Sequence, residues 1–329
     1  MAVYTTIDDP EAYFQVKIWT GTGSSNALTL DGDTDMQPDL VWIKSRSDAQ
    51  NNILTDAVRG TNKNLYSDAT SAEATTTDNI TAFGSDGFTV AGVGNETNGS
   101  SKTYVAWNWK ESATSGFDII QFTGNSTART ISHSLSAVPK MILMKNLANG
   151  DAQWVVYHVS TGNTQALYLN TNAAPTVVSG FFNDTTPTSS LFSVGTDAAV
   201  NANAEDYIAY CWAEIPGYSK FGTYTGNGNA DGTFVYTGFR PQYLLIKQYD
   251  TTRDWNLFDN ARNTFNVIGE QIEVNTTSAG DTYDTVDFVS NGFKFRTTSA
   301  GKNEADGTYI YAAFGQPIIS NSGVCANAR

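Results

Sequence analysis

One pattern of three strands occurs three times along this chain, and no other feature restricts the fold as strongly. Its clearest copy runs from Gly217-Tyr-Ser-Lys-Phe-Gly-Thr-Tyr-Thr-Gly226 through the polar turn Asn227-Gly-Asn-Ala-Asp-Gly232 to Arg240-Pro-Gln-Tyr-Leu-Leu-Ile-Lys247. The alternation and the Gly/Asn punctuation predict a strand, a hairpin turn, a second strand, and then an apolar strand opened by proline and closed by lysine. The first strand recurs at Phe14 to Gly21 and Phe117 to Gly124, and the proline strand at Pro38 to Lys44 and Pro139 to Lys145. A late aromatic (Phe88, Phe192, Phe293) and a tyrosine (Tyr104, Tyr207, Tyr309) keep the same spacing. The period is about 100 residues, the size of a small domain and far above that of a solenoid repeat.

The chain therefore divides into a leader, residues 1–13, and three modules, residues 14–113, 114–216 and 217–329, the last ending in a short C-terminal tail. Each module carries strand-like segments between turns and no amphipathic helix of length. The expected fold is all-β: three tandem antiparallel β-sandwich modules, jelly-roll-like. On the closing strands, Val105/Trp107/Trp109, Ile208/Tyr210/Trp212 and Ile310/Ala312/Phe314 alternate onto one face, which should be the core of each module. The connectors at 111–116 and 215–217 are short, so neighbouring modules should pack end to end. The prolines should start equivalent strands, a place where the missing N–H is tolerated.

Charge and composition narrow the function. A net charge of −14 repels phosphate backbones and anionic lipid, which argues against nucleic-acid and membrane-surface roles. No apolar run reaches the roughly 18 residues of a membrane span, and Met1 to Pro10 lacks the regions of a signal peptide. Cys211 and Cys325 are too few for a disulfide framework, and Cys211 reads as a small buried thiol. In the leader, Tyr4, Tyr13 and Phe14 could pack on a neighbour, either as an attachment arm or as a capping strand.

Motifs for chemistry are sparse. His133 and His158 are the only histidines, and no nucleophile-elbow, phosphate-loop or zinc-protease pattern is present. Asp31-Gly-Asp33-Thr-Asp35 spaces three carboxylates alternately, but Met36 and Trp42 stand where a calcium loop needs glycine and glutamate, so a solvated turn is expected and no metal is assigned. Asp281, Asp284 and Asp287, or Glu205, Asp206 and Glu214, could supply a glycosidase pair, yet acidic turn residues are ordinarily solvated. The pairs Asp56/Arg59 and Asp259/Arg262 read as structural salt bridges, with His158 in the matching stretch of the second module. Trp154 and Trp255, matched by Asn52, are either core anchors of their own sandwiches or exposed rings for stacking on a sugar. No cofactor and no catalysis are expected.

The run Tyr207 to Gly228, the proline strand to Lys247, and Asp287-Phe-Val-Ser-Asn-Gly-Phe-Lys-Phe-Arg296 with Gly307-Thr-Tyr-Ile-Tyr-Ala-Ala-Phe314 resemble a repeat family of virion structural and tail-fibre proteins from tailed phages, notably marine and cyanobacterial ones. All three modules share the likeness, and so does the leader Thr5 to Gln15. The resemblance implies a virion component assembled in host cytoplasm, in keeping with the near absence of cysteine. A tail-associated fibre or receptor-binding component contacting the host surface is one expectation; a head decoration or head-fibre protein stabilising the capsid is the other. An adhesive lectin-like module outside a virus would need a secretion route. The expected partners are other virion proteins, a host-surface glycan or protein, and further copies of the chain, a homotrimer first. Contact residues are sought in the divergent loops of the third module: Asn275, Asp281 and Tyr283 on a distal segment, with Asn227 and Asn229 in the turn.

Overall fold

The computed structural model describes residues 5–92 and 94–317, so Tyr4 and Cys325 lie outside it. Strands dominate, and the α-helices among the described residues are four-residue turns such as Ser179–Phe182 and Ala300–Asn303. Every repeat builds a large antiparallel sheet in the same order. In the first, the opening strand Phe14–Thr20 lies at one edge, followed by the closing strand Thr103–Trp109, the proline strand Leu40–Ser45, and then Ile53–Asp56, Lys63–Tyr66 and Ala74–Thr75. The second repeats this with Phe117–Thr123, Asp206–Ala213, Pro139–Asn146, Val155–His158, Gln165–Tyr168 and Thr176–Val177. The third begins Ser219–Thr225, Thr308–Pro317, Phe239–Gln248, Trp255–Asp259, Ile268–Glu273 and Asp281–Val289, then continues through Gly292–Phe295 to Phe234–Tyr236. Registers match as well: Phe14 opposes Trp109, Phe117 opposes Trp212 and Ser219 opposes Phe314.

A smaller layer covers one face of each large sheet. In the first repeat it is Asn26–Leu28, Gly87–Val90 and Ile80–Gly84; in the second, Arg129–Ser132 with Leu191–Val194. Between the layers lie local cores, with Val41, Ile43, Phe88 and Tyr104 in the first repeat, Ile142, Met144, Phe192 and Cys211 in the second, and Leu244, Ile246, Phe293 and Tyr309 in the third.

The other face of each large sheet carries the alternate residues, and these meet in one core common to all three repeats. Trp107 and Trp109, Tyr210 and Trp212, and Ala312 and Phe314 belong to it together with Leu40, Met141 and Tyr243. Trp109 is its hub, with ring centroids 5.9 Å from Trp212, 5.8 Å from Phe314 and 5.4 Å from Tyr243. This corrects the end-to-end arrangement expected from the short connectors. The strands are apolar on both faces because one face serves the local core and the other the common one, so the repeats close into a ring. The leader joins in, since Ile7 is buried in the common core.

The prolines behave nearly as expected. Pro139 opens its strand, Pro241 is the third residue of its strand, and Pro38 lies two residues ahead of Leu40. At Pro139 and Pro241 the pairing with the closing strand slips at a bulge, a place where a missing N–H costs no ladder bond.

Because Trp109 touches residues of all three repeats, Trp109→Ala is expected to destabilise the whole chain by roughly 3–5 kcal/mol in one cooperative transition. Calorimetry that instead resolved a weakened first repeat from two unaffected ones would contradict the common core.

Candidate functional site

Three seams hold the ring together, and the same positions build each one. The buried lysines at the ends of the proline strands reach the backbone of a neighbouring repeat. Lys145 Nζ donates to Thr70 O at 2.8 Å, Lys247 Nζ to Asn172 O at 3.0 Å, and Lys44 Nζ to Thr277 O at 2.9 Å. Burial pulls each amine down to about 8. Trp154 and Trp255 are buried, and their indole N–H groups donate across the seams to Tyr66 O at 2.8 Å and Tyr168 O at 3.0 Å. Asn52, the matching residue of the first repeat, donates from Nδ2 to Thr276 O at 2.8 Å. These tryptophans therefore anchor one repeat to the next, not merely their own sandwich, and neither ring is offered to a sugar.

A second element of each seam is the turn after the fourth strand of the sheet. Asp56 and Arg59 pair at 2.5 Å and are buried, while Tyr210 of the next repeat donates its hydroxyl to Asp56 Oδ2 at 2.7 Å. Burial pushes the Tyr210 hydroxyl well up, which keeps it a donor. Asp259 and Arg262 repeat the pair at 2.7 Å, with Trp107 Nε1 donating to Asp259 Oδ2 at 2.9 Å. The second repeat places His158 there, with its Nε2 3.1 Å from Tyr311 O and its Nδ1 accepting from Ser160 N at 3.2 Å. A carbonyl can only accept, so the Nε2–H tautomer is required. A proton on Nδ1 would then face the Ser160 N–H, and burial holds the imidazole down at about 4.

Between repeats one and two lies an open cleft of about 410 Å³ lined by Val58, Arg59, Lys63, Glu73, Gln121 and Asp206. Its basic groups are engaged: Glu73 pairs with Arg59 at 3.2 Å and with Lys63 at 2.9 Å. Asp31, from the alternating carboxylate run, pairs with Lys17 at 2.5 Å.

The five residues expected to make surface contacts separate into two groups. Asn275 is 9 % exposed, and its Oδ1 accepts from Trp255 N at 2.8 Å while its Nδ2 donates to Asp254 at 2.7 Å. Asp68 and Asn170 do the same for Asn52 N and Trp154 N, so Asn275 belongs to the repeated framework. The segment that follows it is docked on the first repeat through Thr276, Thr277 and the bond from Gly280 N to Arg46 O at 3.1 Å, so it is not distal. Asn227 is exposed, yet its backbone N–H holds a framework position: it donates to Asn303 Oδ1 at 3.0 Å, as Thr22 and Asn125 donate to Asn98 and Asn201. Asn229 and Asp281 are exposed, and Tyr283 is 59 % exposed.

Sequence reasoning overlooked the other exposed rings. Among the described residues, the large aromatics that face solvent are Phe234, Tyr236, Phe265 and Tyr283, all in the third repeat. The signal was present in the aligned strands, where Phe234 and Tyr236 stand against small residues in the other copies. In sum this is an all-β chain in which three equivalent antiparallel sheets share one core and the third presents aromatic side chains outward. Residues 9–317 match the family described as a domain of unknown function (DUF7483), and the chain belongs to that family. The match spans all three repeats. No curated protein matches the chain.

His158 gives one seam a pH dependence. Its folded pKa, about 4, lies below the ordinary 6.5, so the unfolded chain binds the proton first and stability falls as pH drops from 6.5 towards 4. Glu111, raised to about 7 by burial and by neighbouring Asp118, acts in the opposite sense over the same range. Urea titrations of the wild type and His158→Gln between pH 4 and 7 should therefore differ in slope, the variant losing less stability on acidification; parallel curves would show that the imidazole is not held neutral.

Proposed function

We propose that the chain is a surface protein of a tailed-phage virion, built of three tandem jelly-roll-like sandwich modules and assembled in the host cytoplasm. In this reading it belongs to a tail-associated fibre or receptor-binding assembly and works by binding, not catalysis. The observation that carries the proposal is the division of labour among the copies. Buried framework positions such as Lys44, Lys145 and Lys247 or Tyr104, Tyr207 and Tyr309 are filled alike in all three, whereas among the described residues the exposed aromatic rings are confined to the third. A fixed scaffold with one differentiated outer surface is what a contact protein needs, and exposed aromatics together with depleted charge mark interaction surfaces.

The partners in this proposal are other virion proteins on one side and the host surface on the other, with further copies of the chain forming a homotrimer. The apolar faces of the large sheets are already covered within the chain, so the copies would associate through outer surfaces. Light scattering on the full chain at about micromolar concentration is expected to give a trimer, and a monomer would remove that part of the proposal.

Asn229→Ser, Asp281→Ser and Tyr283→Ser combined change exposed side chains only. Particles carrying them are expected to assemble normally and to adsorb to host cells about tenfold more slowly. Unchanged adsorption with reduced resistance to heat or osmotic shock would favour capsid decoration instead.

A further inference from the structure

We propose that the outward face of Phe234–Tyr236 is a carbohydrate-binding platform: the two rings stack on the apolar faces of sugar rings, and Asp231, Lys294 and Arg296 at its rim bond their hydroxyls. The proposal rests on the host-contact reading above and names the class of ligand for it.

The three repeats supply an internal comparison. The short strand that pairs with the late-aromatic strand aligns Leu28 with Phe88, Ile131 with Phe192 and Val235 with Phe293. Leu28, Ile131 and Val235 point inward and are buried. Their neighbours on either side point outward, and these are Ala27 and Thr29 in the first repeat, Thr130 and Ser132 in the second, and Phe234 and Tyr236 in the third. Scaffold, register and the aliphatic character of the buried residue are held constant while the outward pair changes from small residues to two aromatics. Packing of the fold does not account for the change, because the rings remain 47 % and 54 % exposed.

Two residues along a strand place side chains on one face roughly 6–7 Å apart, so the rings form a short flat row. Opposite Tyr236 stands Gly292, which has no side chain to break that row; the Phe234 ring lies 3.1 Å from where a Cβ at Gly292 would be. Opposite Phe234 stands Lys294, which pairs with Asp231 at 2.7 Å. Arg296 bonds Asp287 at 2.5 Å and lies 3.4 Å from Asp231. Asp231 keeps its carboxylate exposed, and the adjacent Lys294 holds its pKa below the usual range.

The chemistry of this face selects a hydroxyl-rich, uncharged ligand. Aromatic faces are electron-rich and attract the weakly positive C–H faces of pyranose rings. The rim offers donors and acceptors already paired to near neutrality, which suits hydroxyls that both donate and accept. A strongly anionic partner would meet a chain of net charge −14, and a strongly cationic one would find the exposed carboxylate already matched by lysine and arginine.

The test uses the full-length chain and a panel of defined neutral oligosaccharides built on glucose, galactose, mannose and N-acetylglucosamine, read by calorimetry and by ligand-observed magnetic resonance. Wild type is expected to bind at least one. Phe234→Ala with Tyr236→Ala should weaken that binding about tenfold or more without moving the melting temperature, and Tyr236→Phe should retain it. Failure of the wild type to bind any neutral oligosaccharide, or equal binding by the double alanine variant, would overturn the proposal. Loss of self-association in that variant, seen by light scattering, would assign the face to a second copy and likewise overturn it. Particle adsorption separates this inference from the broader one: reduced adsorption without sugar binding leaves host contact standing and removes the glycan, whereas sugar binding with normal adsorption leaves the platform and removes host contact through it.

Discussion

Everything in this structure depends on the apolar faces of three large sheets being buried against one another. A two-layer sandwich ordinarily leaves its outer faces to solvent, and polar residues alternate there. Here the closing and proline strands are apolar on both faces, and the second face has only the other two repeats to cover it. Trp109, Trp212 and Phe314 meet where the three sheets converge. By area, a fully buried ring of that size contributes roughly 4–6 kcal/mol, so the common core holds a large part of the hydrophobic driving force. No repeat keeps that contribution on its own, which makes the ring the cooperative unit. The arrangement has a cost: the indole N–H groups of Trp42, Trp109 and Trp212 are buried without a protein acceptor.

Polar groups then fix how the repeats sit. The seam donors Lys44, Lys145, Lys247, Asn52, Trp154 and Trp255 meet backbone carbonyls, which are insensitive to side-chain replacement across the seam, whereas Asp56 and Asp259 accept through their carboxylates. Within each repeat a buried asparagine (Asn98, Asn201, Asn303) ties the loop before the closing strand to the end of the opening strand, and a tyrosine of the closing strand (Tyr104, Tyr207, Tyr309) bonds the same loop through its hydroxyl. With loops anchored so firmly, divergence is tolerated on outward positions such as 27, 130 and 234.

Much of the fold was legible in the chain, because strand periodicity and turn chemistry are local. The opening segments expected at Phe14 to Gly21 and Phe117 to Gly124 are the observed strands Phe14–Thr20 and Phe117–Thr123, each with its turn glycine beyond the end. The ring was not legible, since a face that is apolar reads the same whether it packs within a repeat or between repeats. Trp154 illustrates this: its burial followed from its type, but its acceptor, Tyr66 O, lies 88 positions earlier in the chain. Asp56/Arg59 and Asp259/Arg262 read as structural salt bridges, but their burial was not legible, because it comes from the neighbouring repeat closing over their turns. The candidate surface was legible only in part. Asn275 and Asn227 have the composition of contact loops, yet the same residue types serve as caps and turn formers, and spacing alone does not separate the two uses. Phe234 and Tyr236 were hidden for the opposite reason, since an aromatic in a strand reads first as core.

Ring closure also bears on how the chain is made. Lys44 binds a carbonyl 233 positions later, and Asn52 one that is 224 positions later, so the seam between the third repeat and the first cannot form until almost the whole chain has been synthesised. At usual elongation rates the first repeat, once Trp109 has been added, waits roughly 8–34 s for Thr277, with Trp42, Trp107 and Trp109 not yet covered by the third repeat. During that interval the nascent chain is most open to misassociation with its neighbours on the polysome, and each repeat added on emergence shields more of the face left bare by the one before.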